Sequence, residues 1–298
     1  MAATLLHGSG LIRVLASLRT VLTRDLRILA YHRIVSLEKR PQFAFDLDLI
    51  SASESQFREQ VRLLKRHFDP IRFADVIDAF ENGTTLPKRP VIVSFDDGYD
   101  DNYTSAYPIL RELGVPATFF VSTGHIDSGC AYAYDWLVHM ICRTPSDRLH
   151  IVELGIDQPI PGSLVLRRTL ASEVLDRIKA LGAKAQRDIV ERLESEWSMP
   201  SAAGHADCRP MNWNQLREMH ANGMEVGSHG VWHNMLAKLS GEEMAEEIHA
   251  SKRTLDRELG APVEVISYPV GGHHAYNAEV IAAVRNAGFK LGCSYISG

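Results

Sequence analysis

Apolar positions recur along this chain in two alternating rhythms. Leu26–Val35 (LRILAYHRIV), Val91–Phe95, Ala117–Ser122, Met224–Ser228, Val263–Tyr268 and Phe289–Tyr295 are short, nearly continuous apolar runs that predict buried strands. Between them lie helical patterns. Phe57, Val61, Leu64 and Phe68 form a core-facing stripe over residues 53–68, and Ser53 with Gln56 has the spacing of a capping box. Further helices are predicted over Phe73–Asn82, closed by Gly83, and up to Leu113, closed by Gly114. Others are expected over Trp213–Asn222, Gly241–Leu259 and Ala278–Ala287. Strands separated by helices predict a parallel sheet covered on both faces or closed into an α/β barrel.

Two segments break the rhythm. Residues 126–210 show no clean alternation and contain an amphipathic helix around Ser172–Trp197, so they read as a mainly helical insertion between two barrel strands. Residues 1–25 place Leu11, Val14, Leu15, Leu18 and Leu22 at helical spacing, interrupted by Arg13, Arg19 and Arg24. An amphipathic helix docked on the barrel is expected there, and the same stripe would suit peripheral contact with a membrane surface. The order of a secretory signal is missing, which points to the cytoplasm or its membrane face without excluding the periplasm.

Composition narrows the classes. The 298 residues carry 37 acidic and 32 basic side chains, a net charge of −5, with no block of like charge, so nucleic acid is not an expected partner. The length fits two domains or one barrel, and the insertion favours one barrel over 26–298. The four cysteines, Cys130, Cys142, Cys208 and Cys293, are scattered and form neither a disulfide framework nor a zinc ribbon.

The chemistry gathers where strands end. Ser94-Phe95-Asp96-Asp97-Gly98 closes the second predicted strand, and adjacent carboxylates there call for a cation or a shared proton. A solvated acidic turn would also account for them alone. Ser228-His229-Gly230-Val231-Trp232-His233 follows the strand MEVGS; a helical turn would aim both imidazoles one way, as a divalent metal site requires. Two imidazoles and one carboxylate from separate strand ends make an open three-ligand site of the hydrolytic type. Ser267-Tyr268-Pro269-Val270-Gly271 forces a sharp loop that can aim a backbone N–H inward, and His32 also ends a strand.

These three motifs, in this order, resemble the polysaccharide deacetylases: carbohydrate esterase family 4, with the NodB-homology fold. Among them the chain is most like the exopolysaccharide or lipopolysaccharide deacetylase type. The resemblance implies a distorted (β/α)7 barrel and a divalent metal, usually Zn²⁺, with Co²⁺, Ni²⁺ or Mn²⁺ as substitutes. It implies removal of N-acetyl, or in relatives O-acetyl, groups from a polysaccharide or lipid-linked amino sugar. Asp96 resembles the catalytic base, Asp97, His229 and His233 the metal ligands, and the Val270 N–H the oxyanion donor. Two departures stand out. Ser267 replaces an arginine that orients the base, and the family's last strand, with its proton-donating histidine, has no counterpart after Tyr295. The barrel's final element is therefore expected to be missing, with His32, His125, His273 or His274 as substitute proton donor. The alternatives are a hydrolase of non-sugar C–N bonds and a catalytically silent carbohydrate-binding barrel. Within the insertion, Tyr132, Tyr134 and Trp136 suit either sugar stacking or core packing.

Overall fold

The computed structural model describes residues 25–39, 43–178, 181, 183–199 and 205–296. The expected helix over residues 1–25 lies, but for Asp25, outside them. The chain begins with strands β1 (Arg27–Tyr31), β2 (Arg33–Ile34) and β3 (Ile50–Ala52), then helix α1 (Glu54–His67), β4 (Asp69–Pro70) and α2 (Phe73–Asn82). Next come β5 (Pro90–Phe95), α3 (Tyr107–Leu113), β6 (Thr118–Val121) and α4 (Thr123–Ser128). An inserted region holds α5 (Ala133–Arg143), β7 (Arg148–Ile151), β8 (Ile156–Pro159), α6 (Leu164–Ile178) and α7 (Ala183–Glu196). The alternation then resumes with α8 (Trp213–Ala221), β9 (Glu225–Ser228), α9 (Gly241–Leu259), β10 (Val265–Ser267), α10 (Ala278–Asn286) and β11 (Leu291–Cys293).

Seven of these strands form one parallel sheet, ordered β1-β5-β6-β9-β10-β11 with β4 added to β5, curled into an incomplete barrel. Among the described residues no pairing joins β11 to β1. The rings of His32 and Tyr295 approach to 5.7 Å across that seam. Because the strands are parallel, their carboxyl ends share one mouth, where barrels of this kind carry their chemistry.

Local signals explain the helices. Ser53 and Gln56 form the capping box of α1, and Phe57, Val61 and Leu64 are its buried stripe. Gly83 and Gly114 close α2 and α3 in the left-handed conformation that a Cβ disfavours. Inside the sheet, Phe95 and Phe119 stack at 4.9 Å between ring centroids and are fully buried. Each such ring contributes about 2–3 kcal/mol of burial free energy.

The first expected strand is not continuous. It breaks at His32: β1 pairs with β5, while β2 turns away to pair with β3. At the break Arg33 is buried and ion-paired to Asp101 at 2.9 Å and Asp135 at 3.5 Å, which draws the chain off the β1 line. Its guanidinium also lies over the Tyr99 ring. The residues beyond, Val35 and Phe43–Phe45, join a second hydrophobic core built mainly from the insertion.

That insertion also differs in detail. The single helix expected over Ser172–Trp197 is two helices, α6 and α7. A turn in which the Leu181 N–H donates to the Ile178 carbonyl ends α6, and both helices then pack on α5. One straight helix could not bring both Val174 and Leu193 onto the same core. The antiparallel hairpin β7–β8, unanticipated by sequence, turns at Gly155 and buries Leu149, Ile151 and Ile156. Trp136 is a core residue, stacked on His139 at 4.7 Å, and not a sugar platform.

Candidate active site

Asp96 and Asp97 emerge from the end of β5, on the turn that the sequence motif marks. Asp97 takes φ 74° and Gly98 φ 75°, so the backbone reverses and both carboxyls turn into the mouth. A Cβ on Gly98 would lie 2.8 Å from Val121 Cγ1, which excludes any larger residue there. The return of the insertion clamps this turn, with Met211 N–H donating to the Gly98 carbonyl and Asp100 N–H to that of Arg209.

His229 follows β9, and the segment to His233 is a non-helical turn, so the imidazoles meet by another route than the helical turn that the spacing would allow. Positive φ at Gly230 (77°) and His233 (58°) brings the imidazoles together with ring centroids 4.8 Å apart. Glu247 of α9 holds this turn: its buried carboxylate accepts the N–H of Val231 at 3.0 Å and of Trp232 at 2.6 Å. Sequence reasoning missed Glu247. Its only signal is an acidic residue on the face of α9 that buries Met244, Ile248 and Ser251.

Ligand atoms of Asp97, His229 and His233 lie within 4.8 Å of one another. Asp97 Oδ1 is 3.3 Å from His233 Nε2 and 3.6 Å from His229 Nε2. His229 Nδ1 sits 2.9 Å from the Ser267 carbonyl, an acceptor only, so Nδ1 carries the proton and Nε2 keeps its lone pair toward Asp97. Asp97 is fixed by two tyrosines of the insertion: Tyr134 hydroxyl donates to Oδ2 at 3.2 Å, and Tyr132 hydroxyl donates to the Asp97 carbonyl. Tyr132 is buried and Tyr134 packs against the insertion's core, as core packing expects, and their hydroxyls add this second role.

The electrostatics separate the two aspartates. Burial first, and then the Asp97 charge, push the Asp96 carboxyl up to about 7, against the pull of His32, His233 and a hydrogen bond from Ser267. Burial would raise Asp97 too. The neighbouring imidazoles, His233 foremost with Nε2 3.3 Å from Oδ1, outweigh it and hold Asp97 well below the usual carboxylate range. Burial drives His229 down to about 3, which keeps it neutral. Ser267, where the resemblance puts an arginine, is near enough to Asp96 to favour its charged form.

Val270 adopts φ 69°, a strained conformation for a β-branched residue, and its N–H donates no hydrogen bond among the described residues. Val270 and His32 both line the cleft over the aspartates, a cavity of about 340 Å³. Of the other histidines, His125 lines it too, with Nδ1 3.0 Å from the Cys130 carbonyl. His273 and His274 are exposed on a turn and do not line it, which removes them as proton donors. The four cysteines are free.

The residues fit a divalent cation. The donor set is one carboxylate and two imidazoles, and Oδ1 of both Asp96 and Asp97 is buried without a hydrogen-bond partner.

Comparison with known proteins agrees with this geometry. A family model described as polysaccharide deacetylase matches residues 83–292. The chain belongs to the polysaccharide deacetylase family. The YxkH protein of Bacillus subtilis (strain 168) is 23% identical over 212 residues, covering 70% of this chain and 47% of its own. The poly-beta-1,6-N-acetyl-D-glucosamine N-deacetylase of Staphylococcus aureus is 33% identical over 104 residues, 33% of this chain and 36% of its own. This deacetylase-family chain therefore spans less than half the length of these curated relatives. Among solved structures, Streptococcus pyogenes deacetylase PplD in complex with acetate aligns with TM-score 0.56 at 20% identity, covering 92% of this chain and 84% of that one. IcaB from Ammonifex degensii aligns with TM-score 0.56 at 18% identity, covering 91% and 83%. At such identities the likeness establishes the fold of this family member and nothing finer.

Proposed function

We propose that this chain hydrolyses the N-acetyl group of an amino sugar in a glycan or glycoconjugate. Asp97, His229 and His233 would hold one divalent cation, most suitably Zn²⁺. The observation that carries the reading is the buried, unpartnered Asp97 oxygen that lies beside the imidazoles of His229 and His233, with the Asp96 carboxyl adjacent. A cation held there would supply Lewis acidity, polarising the acyl carbonyl and acidifying a water.

The protein's own groups do the rest. Asp96, whose carboxyl burial pushes up to about 7, takes a proton from the attacking water. The water oxygen bonds to the acyl carbon, and the negative charge that develops on the carbonyl oxygen is received by the free Val270 N–H. The C–N bond then breaks and the leaving amine takes up a proton. His32 is the group we assign to that donation, because it lines the cleft beside Asp96. His125 suits it less: burial lowers it to about 4, so it is neutral at pH 7. Acetate and a free amino sugar are the products.

Acetate release from N-acetylated oligosaccharides, with metal analysis of the purified protein, tests the reading. Acetate with one bound divalent cation per chain is expected. Neither acetate nor metal would leave a carbohydrate-binding barrel without catalysis.

A further inference from the structure

One edge of the cleft lies over the seam where, among the described residues, no pairing joins β11 to β1. Tyr295, just past the end of β11, stands there with His32 and Val270, and all three line the cleft. Its backbone and its ring make separate contacts. The Tyr295 N–H donates to the Gly271 carbonyl at 2.8 Å, the only hydrogen bond that residues 269–271 make among the described residues. Gly271, at φ 68°, lies directly against it: a Cβ there would collide with the Tyr295 Cβ and lie 2.6 Å from its N. Beyond Tyr268, whose N–H donates to the Cys293 carbonyl at 2.9 Å, the strained turn at Val270 is tied to the sheet end through Tyr295. The ring meets the other half of the site. The His32 backbone is fixed on both sides, its N–H donating to Ser51 Oγ at 2.9 Å and its carbonyl accepting from Asn102 Nδ2 at 2.7 Å. Its imidazole has no hydrogen-bond partner among the described residues, and the ring packed on it is that of Tyr295, 5.7 Å away between centroids and tilted by 55°.

An imidazole that delivers a proton must be aimed, and a hydrogen bond to its second ring nitrogen is the usual means. His32 has none among the described residues, which leaves the aiming to packing. An oxyanion donor must likewise be fixed before charge develops on the carbonyl oxygen. We propose that Tyr295 is the positioning residue for both groups: its ring aims His32, and its backbone fixes the Val270 loop. The proposal rests on the roles given above to His32 and Val270. Tyr295 does not deliver the proton itself, because burial and the Asp96 charge push its phenol up and make it a poor acid at neutral pH.

Two substitutions separate the contacts. Tyr295 is half-exposed, so Tyr295→Ala removes the ring without opening the core and keeps the N–H and Cβ. Gly271→Ala keeps the ring and forces the two backbones apart. With N-acetylated chitopentaose as substrate, Tyr295→Ala should lower kcat about 10-fold or more and leave KM within about 2-fold. Tyr295→Phe should restore kcat to within about 2-fold of the native chain. In a His32→Ala background Tyr295→Ala should cost nothing further, whereas Gly271→Ala should still lower kcat, because it acts through Val270. A rise in KM alone in Tyr295→Ala would make the ring a sugar platform and overturn the proposal. Additive losses from Tyr295→Ala and His32→Ala, or native kcat in Gly271→Ala, would overturn it too. Histidine ring NMR signals, with that of His32 assigned by its loss in His32→Ala, give a readout independent of turnover. Tyr295→Ala should broaden the His32 signal and Tyr295→Phe should leave it sharp; an unchanged signal in Tyr295→Ala counts against the proposal. A broadened signal without acetate from the native chain would uphold the positioning of His32 and defeat the deacetylase reading. Acetate from the native chain, with kcat unchanged in Tyr295→Ala, would do the reverse.

Discussion

The barrel and its insertion solve the same burial problem by different means. The barrel buries Phe95, Phe119 and Val121 between parallel strands and their covering helices, and its carboxyl ends deliver Asp96, Asp97 and His229 to one mouth. The insertion builds a second core around Trp136, Leu149, Val174 and Leu193 and recruits Phe43 and Phe45 from the loop before β3. It then returns Tyr132 and Tyr134 to the barrel, where their hydroxyls fix Asp97. The lesson is a division of labour: the barrel presents the carboxylates and imidazoles of the mouth, while the insertion orients one of them and walls the cleft.

The joint between the two regions is where a substitution should do most damage. Arg33 sits between Asp101 of the barrel and Asp135 of the insertion. Arg33→Met would leave two buried carboxylates uncompensated, with an expected loss of about 3–5 kcal/mol in denaturant unfolding. A loss below 1 kcal/mol would show that the joint does not couple the regions.

Trp136→Ala probes the second core alone. It should cost about 3–5 kcal/mol, with faster amide exchange concentrated in α5–α7 and not in β5 or β6. Exchange rising equally in both regions would dissolve the distinction between the two cores.

Acid should reveal the two regions' buried histidines. Burial lowers His125, at the cleft, and His139, in the second core, to about 4. Their folded values lie below the ordinary 6.5, so the stability they support is complete above pH 6.5 and drains away as pH falls toward 4. For His125 the loss is on the order of 3 kcal/mol. His125→Gln should flatten that part of the stability profile; an unchanged slope would contradict the assignment.

The smallest effect belongs to the barrel's periphery. Ser53→Ala removes one half of the α1 capping box and should lower stability by about 1 kcal/mol without changing exchange in the insertion.

What could be read from sequence follows the same divide. The strands are nearly continuous apolar runs, and β5, β9 and β10 each end in a motif, so the order of elements and the gathering of Asp96, Asp97, His229, His233 and Val270 at one mouth were legible. The break at His32 was not, because it depends on Arg33 meeting Asp101 and Asp135 across 68 and 102 intervening positions of chain, counted as differences in residue number. The hairpin β7–β8 was hidden because its strands are four residues each, too short for alternation to declare itself. The conformation of the His229–His233 turn was not legible, because its geometry comes from positive φ and from Glu247, a distant residue. Tyr132 and Tyr134 likewise acquire their role only when the insertion folds back on Asp97.

Acetate release by Asp96→Asn, measured beside the wild-type chain on the same N-acetylated substrate with the bound metal quantified in both, bears most directly on the central claim. The account predicts a loss of at least 100-fold in kcat, in the range expected for removal of a general base, with metal content unchanged. Wild-type turnover by Asp96→Asn would contradict it, because the carboxyl held near neutrality at the barrel mouth would then not be the base.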